Sequence, residues 1–374
     1  MIKEIRFKNY KAFKEEQSLK IRPITLLVGK NSSGKTSLCN LIHRLSNALT
    51  PREDEGLAIR KNIDAFVEGG GALFNKDDYT SLQISAHNSN DESFTVNYVH
   101  ARGKTYLSEL EYITPSGEAF HKSYDDELRA AIYNSLRGAV TQIGANLHHF
   151  VYSTNHIFPV RHSGLNFLMG SQRVAHEVWG SGEMAYNILA NSYAQDTSLY
   201  PNVQKWFHDN LEGQDIIVKP IPSTGDNSYL FLVTEREIPI EEVGQGVQQV
   251  LPIIVETYNE NASDVTIIEQ PALHLHPAAH AAVIRRIAES AKQLNRHYVV
   301  ESHSENILLE LRRMVSDPYI NLTPEDVIVY YVDMIDGVSY LRPIHISQSG
   351  ELSFWPTGVF GEGFEILSQI MQNK

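Results

Sequence analysis

Residues 29–36 read Gly29-Lys30-Asn31-Ser32-Ser33-Gly34-Lys35-Thr36, and this octapeptide fixes the class of fold to expect. It matches the phosphate-loop pattern G-x-x-x-x-G-K-[ST]. Glycines let the backbone wrap so that successive N–H groups point at a phosphate, and a helix that begins directly afterwards adds its positive dipole end. The pattern predicts a nucleoside triphosphate site in which Lys35 reaches the phosphates and the Thr36 hydroxyl ligates Mg²⁺. The predicted nucleotide-contacting residues are this octapeptide and Ser37.

The octapeptide stands between an apolar run and an amphipathic pattern, which is the context that a phosphate loop requires. Ile24–Val28 predicts a buried strand, and apolar residues at helical spacing from Leu38 to Leu45 predict a helix that starts at Thr36. The helix should end near Thr50, because a proline disfavours helical backbone in the residue before it. We therefore expect a strand–loop–helix unit.

The remainder of the chain holds a long middle region and a region in which helices and strands alternate. The middle region has an alternating pattern over 79–113, helical patterns over Asp125–Phe150 and Glu183–Gly213, and strand character over 215–240. The later elements are the predicted helices Gln245–Tyr258, Pro277–Gln293 and Ser304–Val315 and the predicted strands Val265–Ile268, His297–Val300 and Val327–Val332. This order predicts an α/β fold with a mostly parallel core sheet, split by a long insertion.

The composition is that of a globular protein with a sizeable core. Hydrophobic residues make up 42% of the 374 residues and charged residues 21%, which excludes disorder as the main state. The one cysteine, Cys39, excludes a disulfide framework and a cysteine-based zinc cluster, and we expect it to be a packed thiol. Because the sequence shows neither a signal-peptide pattern nor a run of about 18 apolar residues, we expect a cytoplasmic protein without a membrane partner.

The charge limits how the chain could bind nucleic acid. The net charge is -13, from 45 acidic and 32 basic residues. Proteins that bind nucleic acid over their whole surface usually have a positive net charge. Contact with DNA would need a local patch, and the basic residues near the N-terminus are Lys3, Arg6, Lys8, Lys11, Lys14, Lys20 and Arg22. The plainer interpretation of this run is a solvated face of two edge strands.

Three later segments carry further chemistry. The apolar strand before Glu269 delivers a carboxylate at its C-terminal end, which suits the magnesium side of a nucleotide site. Gly244 and Gly246 open a helix and offer a second phosphate contact. Another apolar strand is followed closely by His303.

The order of these segments resembles the ABC-class ATPases of the SMC/RecF/OLD group. The chain is similar in particular to short bacterial AAA-type proteins with an E-Q-P-x-L-H-L-H-P segment, here residues 269–277, and a late W-P-x-G segment, here residues 355–358. The opening residues 7–13, Pro159-Val160-Arg161 and Gly180-Ser181-Gly182-Glu183 add to the resemblance. It implies an α/β fold of the two-lobed ABC-type ATPase head, with a mixed core sheet, an antiparallel β-lobe and a compact helical insertion.

The resemblance also implies four parts in the chain and a role for each motif. The parts are residues 1–65 with the phosphate loop, 66–240 with the meander and insertion, 241–345 with the other motifs, and a tail at 346–374. In this family two heads sandwich two ATP molecules, and the glycine signature of one subunit completes the site of the other. By position, the catalytic residues are Lys35, Glu269, Gln270 and His303, the signature is Gly244–Gln249 with contacts from Gly244, Gly246 and Gln249, and Lys11 approaches the adenine or the phosphates.

Glu269 and Thr36 would hold Mg²⁺, and His303 would sense the γ-phosphate. The chain departs from the family at Gln270, where a catalytic glutamate usually stands, and at Gly244, which replaces a serine; Ala272 also replaces a glutamate. Glutamine can orient an attacking water but cannot accept its proton. Either Glu269 or water carries that proton, or the protein is a slow ATPase that works as an ATP-dependent dimer switch; we adopt slow hydrolysis.

Three other sets of residues remain to be interpreted. His274, His276, His280 and His303 lie near one another in sequence, but the family segment explains them, and we expect no structural zinc. Arg161 and Glu183 form either a site contact or ordinary buried ion-pair or loop contacts. The Asp333/Asp336 spacing does not fit the Toprim nuclease that OLD proteins carry, so a nuclease should be absent.

The sequence thus predicts an ATP-binding, slowly hydrolysing ABC-class ATPase with Mg²⁺. Its partners would be further copies of itself, as a homodimer or higher homo-oligomer, and a separate effector, a nuclease or toxin, in bacterial anti-phage defence. Two alternatives stay open: a RecF-like repair ATPase that binds DNA, and a non-hydrolysing ATP sensor that acts as an assembly scaffold.

Overall fold

The computed structural model describes residues 2–49, 73, 80–101, 104–123, 152–161, 178, 180–220, 228–233, 237–355, 360 and 371. These residues contain fifteen β-strands and six α-helices. The first eight strands are β1 (Ile2–Lys8), β2 (Gln17–Lys20), β3 (Ile24–Gly29), β4 (Thr80–Asn88), β5 (Ser93–Ala101), β6 (Lys104–Ile113), β7 (Ala119–Ser123) and β8 (Thr154–Ile157). The others are β9 (Asp215–Pro220), β10 (Ser228–Val233), β11 (Glu237–Pro239), β12 (Val265–Glu269), β13 (His297–Glu301), β14 (Val327–Ile335) and β15 (Val338–Ile344).

The helices are α1 (Lys35–Leu49), α2 (Met184–Ala194), α3 (Leu199–Asn210), α4 (Gln245–Tyr258), α5 (Pro277–Gln293) and α6 (Glu305–Ser316). The predicted helical stretch Glu183–Gly213 is two helices, because the chain turns at Asp196 with φ +53°. The Ser192 hydroxyl accepts from the Tyr200 N–H at 2.8 Å and so holds the start of α3. The predictions over Asp125–Phe150 and for residues 356–358 lie outside the described residues. Within the described part, none of the helices is both long and apolar enough to cross a membrane.

The chain divides into two compact units, and strand β3 passes from one to the other between Leu26 and Leu27. Unit 1 comprises residues 1–22, 27–154 and 328–344. Its larger sheet has the order β2-β1-β4-β5-β6-β7, in which every neighbouring pair of strands is antiparallel. Buried residues of β4 and β5 face each other directly, with Leu82 opposite Tyr98 and Ile84 opposite Val96, so the predicted meander is confirmed. Unit 1 also contains the strand order β15-β14-β3.

Unit 2 comprises residues 23–26, 155–327 and 345–374. Its strand order is β3-β13-β12-β8, and β12 and β13 are parallel, with Glu269 opposite Glu301. A small antiparallel sheet of order β11-β10-β9 and helices α2 to α6 complete the described part of the unit. The predicted α/β fold, with a mixed sheet and an antiparallel β-lobe, is therefore confirmed, and α4 and α5 begin and end at the predicted residues. The division into four parts stays a prediction.

Candidate functional site

The phosphate loop in unit 1 begins where the buried strand β3 ends, and Gly29 makes the turn possible. All six residues of β3 are buried. Gly29 has φ +154°, and a Cβ placed on it would lie 2.3 Å from the Val332 carbonyl oxygen of β14. Any other residue would collide with this backbone oxygen, so glycine is required at the first position of the loop.

The last glycine of the loop, Gly34, is packed in the same manner. It has φ +108°, and a Cβ there would lie 3.0 Å from the Phe13 ring and 3.3 Å from the Ser339 hydroxyl. That hydroxyl donates to the Ser33 carbonyl at 2.7 Å, while the Ser339 N–H donates to the Ala12 carbonyl at 2.8 Å. The backbone path of the loop is thus set in advance by residues that lie far away in sequence.

Lys35 folds back over the loop. Only 3% of its surface is exposed, and its ammonium group donates to the carbonyl oxygens of Gly29 at 3.1 Å and Lys30 at 2.7 Å. A buried ammonium is costly unless it is hydrogen-bonded, and these two carbonyls supply such bonds. The arrangement holds one positive charge at the centre of the glycine cradle.

The remaining predicted loop contacts differ in exposure. Lys30, Asn31, Ser32 and Thr36 are exposed, Ser33 is buried, and Ser37 is half-buried. Ser32 takes the left-handed backbone conformation with φ +61°, as does Lys11 with φ +52°. Lys11 is half-buried on the turn between β1 and β2 of the same unit, and its approach to a nucleotide stays a prediction.

In unit 2 the acid strand β12 ends at a carboxylate that a histidine holds in place. Every residue of β12 is buried, and Glu269 is 5% exposed. Its Oε1 lies 2.7 Å from Nε2 of the buried His156 on β8, the neighbouring strand. A hydrogen bond of this kind fixes the orientation of a carboxylate. His156 is not among the site residues predicted from the sequence; its one signal there is an imidazole in a short segment of the middle region.

Arg161 joins this carboxylate strand to helix α4, which opens with the predicted signature. Its Nη2 donates to the Glu269 carbonyl at 2.6 Å and its Nη1 to the Gln249 carbonyl at 2.9 Å. In return, the Gln249 side chain accepts from the Arg161 N–H at 2.8 Å and donates to the Arg161 carbonyl at 2.7 Å. Burial lowers the pKa of Arg161 to about 9, while the charge of Glu269 opposes that shift. Arg161 is therefore a buried cation at neutral pH.

Glu256 links the same elements near the C-terminal end of α4. It is fully buried, and its Oε1 accepts from Asn155 at 3.0 Å and from Thr266 at 3.1 Å. Burial raises the pKa of Glu256 to about 7, although both hydrogen bonds favour the charged form. Asn155, His156 and Arg161 belong to one short segment, and each bonds to α4 or β12.

The segment after β12 packs on the start of α4. Gln270 has φ +49°, is half-buried, and donates its N–H to the Glu301 carbonyl at 2.8 Å. A Cβ on Gly246 would lie 2.5 Å from the His274 carbonyl, whereas a Cβ on Gly244 would meet nothing within 4 Å. The two glycines of the predicted signature therefore differ: Gly246 serves packing within the chain, and Gly244 faces open space.

His276 and His280 have local partners. His276 caps helix α5, because its Nδ1 accepts from the Ala278 N–H at 3.3 Å. His280 contacts the Ser304 hydroxyl at 2.8 Å and the Leu275 carbonyl at 3.2 Å. His274 is exposed, as is His303, which follows β13. The sensing role of His303 stays a prediction.

Glu183 takes no part in the hydrogen bonds of Arg161 described above. Its carboxylate accepts from the Ser181 hydroxyl in the loop that precedes α2. Glu183 therefore makes a local loop contact, which is one of the predicted alternatives; another was an ion pair with Arg161. Cys39 is buried on α1, as predicted.

We expect different effects from alanine at the two signature glycines. Gly246→Ala should lower the free energy of unfolding by about 1–3 kcal/mol, because the new Cβ meets the His274 backbone. Gly244→Ala should stay within about 0.5 kcal/mol of the native protein, since its site is open. Denaturant unfolding of both variants checks this, and equal stabilities would contradict the close packing at Gly246.

Together, the fold and the phosphate loop define an α/β head of the ABC-ATPase type. The chain belongs to the family described as "AAA domain, putative AbiEii toxin, Type IV TA system", whose model matches residues 24–310. A second family model, described as a protein of unknown function (DUF3696), matches residues 322–368. A comparison with curated proteins gave no match.

Three of the similar solved structures are heads of SMC proteins. An SmcHead bound to the C-winged helix domain of ScpA is 13% identical with a TM-score of 0.51, over 92% of this chain and 98% of that chain. The SMC head domain from Thermotoga maritima is 12% identical with a TM-score of 0.42, over 91% and 98%. The Smc head from Pyrococcus furiosus, with an extended coiled coil and bound to the C-terminal domain of ScpA, is 11% identical with a TM-score of 0.48, over 99% of both chains. The first of these comparisons shows a shared fold.

Proposed function

We propose that this chain is an ATP-binding ATPase that hydrolyses ATP slowly, dimerises around it and controls a separate effector. The observation that carries the proposal is the phosphate loop, in which the buried Lys35 ammonium rests on the carbonyls of Gly29 and Lys30. A lysine held in this way can exchange its carbonyl partners for phosphate oxygens without moving its backbone.

The residues of the loop fit a triphosphate and a magnesium ion. Gly29 and Gly34 leave no room for side chains, so the backbone keeps one path, which suits a loop that wraps a phosphate group. The exposed Thr36 hydroxyl and the Glu269 carboxylate offer the oxygen ligands that Mg²⁺ prefers. When bound there, Mg²⁺ would neutralise charge on the phosphate oxygens. Thr36 and Glu269 are our proposed ligands.

Slow turnover is proposed because Gln270 lacks a basic group. Its amide can orient water, but no proton can be transferred to it at neutral pH. Glu269 is already oriented by His156. Gln270 also supports the rival proposal of an ATP sensor that does not hydrolyse ATP. A measurement of turnover separates the two proposals.

Dimerisation and effector control rest on two further observations. Gly244 is exposed and faces open space at the start of α4, which leaves the first turn of the signature accessible to a second copy. The family description names a toxin and a type IV toxin–antitoxin system, which supports control of a toxin or nuclease in anti-phage defence. The cytoplasm is the proposed location.

A DNA-binding repair ATPase is the second candidate, and the β1–β2 region favours it. Exposed basic residues here are Lys3, Arg6, Lys8, Lys14 and Lys20. Glu4 opposes them, since it pairs with Arg6 at 3.1 Å. Binding of duplex DNA that weakens steeply with salt would favour this candidate.

The experiment combines nucleotide titration with sedimentation of the native protein and Gly244→Trp. We expect the native protein to bind ATP with Mg²⁺ and to dimerise in its presence. Gly244→Trp should bind ATP within about threefold of native but dimerise about tenfold more weakly, because the bulky group is accommodated in its own chain and obstructs a second one.

Two results would contradict the proposal. A native protein that binds no ATP would refute the nucleotide site. If Gly244→Trp dimerises as well as the native protein does, the signature does not act across a dimer.

A further inference from the structure

We propose that Arg161 is a positioning residue that locks the signature helix α4 to the end of the acid strand β12. The inference rests on the proposed function, because it assigns a role within the same nucleotide site. Arg161 and Gln249 share three hydrogen bonds, and a fourth runs from Arg161 to the Glu269 carbonyl. Both signature and acid strand are thus fixed to one side chain.

The guanidinium geometry explains why an arginine stands here. Its two terminal nitrogens diverge in a planar fork, so one side chain reaches the Gln249 and Glu269 carbonyls at 2.9 and 2.6 Å simultaneously. A lysine ammonium is a single point donor on a flexible stem and does not preserve this pairing. Arg161 is only 2% exposed, and burying its charge is costly. A need for accurate positioning accounts for that cost.

The position of the Glu269 carbonyl matters for the chemistry. Glu269 is the last residue of β12, and its carbonyl belongs to the peptide group that leads into Gln270. Holding that peptide fixes the directions in which the two side chains leave the strand. Gln249 lies in the second turn of α4, so the same guanidinium fixes the helix that opens with Gly244 and Gly246.

Gln249 therefore receives a different role from the nucleotide contact that its position in the signature suggested. Its amide oxygen and nitrogen both bond to the Arg161 backbone, and the residue is buried. The side chain recognises the backbone of the segment after β8 in both directions, as a paired strand would. We assign Gln249 to the lock.

The chain offers a matched control in Arg296. This arginine is also buried in unit 2, and it donates to two backbone carbonyls, those of Asn259 and Glu260 just beyond the other end of α4. Arg296→Met removes the same chemistry as Arg161→Met, at a place that carries no predicted site residue. Both variants lose a buried arginine. A difference between them therefore reports where the lost contacts lie rather than a general loss of stability.

The test measures hydrogen exchange, ATP affinity and ATP-dependent dimerisation for both variants. Without nucleotide, Arg161→Met should raise amide exchange about tenfold in residues 244–251 and 268–275, whereas Arg296→Met should raise it around 257–262. With ATP, Arg161→Met should keep monomer affinity within about threefold, since the phosphate-loop contacts described above do not involve it, and dimerise about tenfold more weakly. Arg296→Met should dimerise like the native protein.

Two further variants keep the test decisive if Arg161→Met folds poorly. Gln249→Met leaves the arginine in place, removes two bonds, and should shift exchange and dimerisation in the same direction. Arg161→Lys keeps the charge and should not restore native dimerisation, because the fork is lost. Similar effects from Arg161→Met and Arg296→Met, or a fully native Gln249→Met, would overturn the inference alone. A native protein that binds no ATP would overturn the proposed function, and the inference with it.

Discussion

Lys35→Ala is expected to abolish ATP binding, with a loss of affinity of about a hundredfold or more. The structure places this ammonium inside the glycine cradle, on the carbonyls of Gly29 and Lys30. Removing it leaves the cradle without its cation, and charge-assisted bonds to phosphate are the strong ones. Titration with a fluorescent ATP analogue in the presence of Mg²⁺ measures the change.

Lys205→Ala is the control for Lys35→Ala. The Lys205 side chain is exposed on α3 and pairs with Asp209 at 2.7 Å, and it is not a predicted site residue. This variant should bind ATP within about threefold of the native protein, because an exposed ion pair contributes little. If Lys35→Ala keeps native affinity while remaining folded, the phosphate loop is not the nucleotide site.

Local sequence patterns were sufficient for the elements that position the site. Helix α4 and helix α5 follow a hydrophobic period of 3.6, and their bounds coincide with those predicted, Gln245–Tyr258 and Pro277–Gln293. The buried strand before the phosphate loop was equally predictable, since the apolar run Ile24–Val28 precedes Gly29. Periodicity reports the face that an element buries, and that information lies within about fifteen residues.

The contacts that hold the site were not readable in this way, because they join residues far apart in the chain. Ser339 holds the Ser33 carbonyl although 306 residues separate them, and His156 meets Glu269 across 113 residues. No local pattern reports such a pairing. Gly246 is a further example. The sequence predicts that this glycine contacts the nucleotide as part of the signature, and the sequence does not reveal that it packs against the His274 carbonyl.

Glu269→Gln is expected to lower ATP turnover about a hundredfold with little change in fold. The amide keeps nearly the shape of the carboxylate and still offers an oxygen to His156, which lies 2.7 Å from Oε1. What is lost is the negative charge proposed for the magnesium side. Phosphate release under saturating ATP and Mg²⁺ measures turnover. Glu256→Gln is the control, a buried carboxyl on α4 whose replacement should leave turnover within about threefold of native.

Gln270→Glu tests the opposite change, because it supplies the base that the chain lacks. A general base contributes about 10²–10⁴ in rate, so turnover should rise about a hundredfold if the missing base limits hydrolysis. Unchanged turnover would mean that Glu269 or water already carries the proton, and slow hydrolysis would be refuted. If the native protein binds ATP without turnover and Gln270→Glu starts hydrolysis, the native head is a sensor, and its ATP-bound dimer is the form that meets the effector.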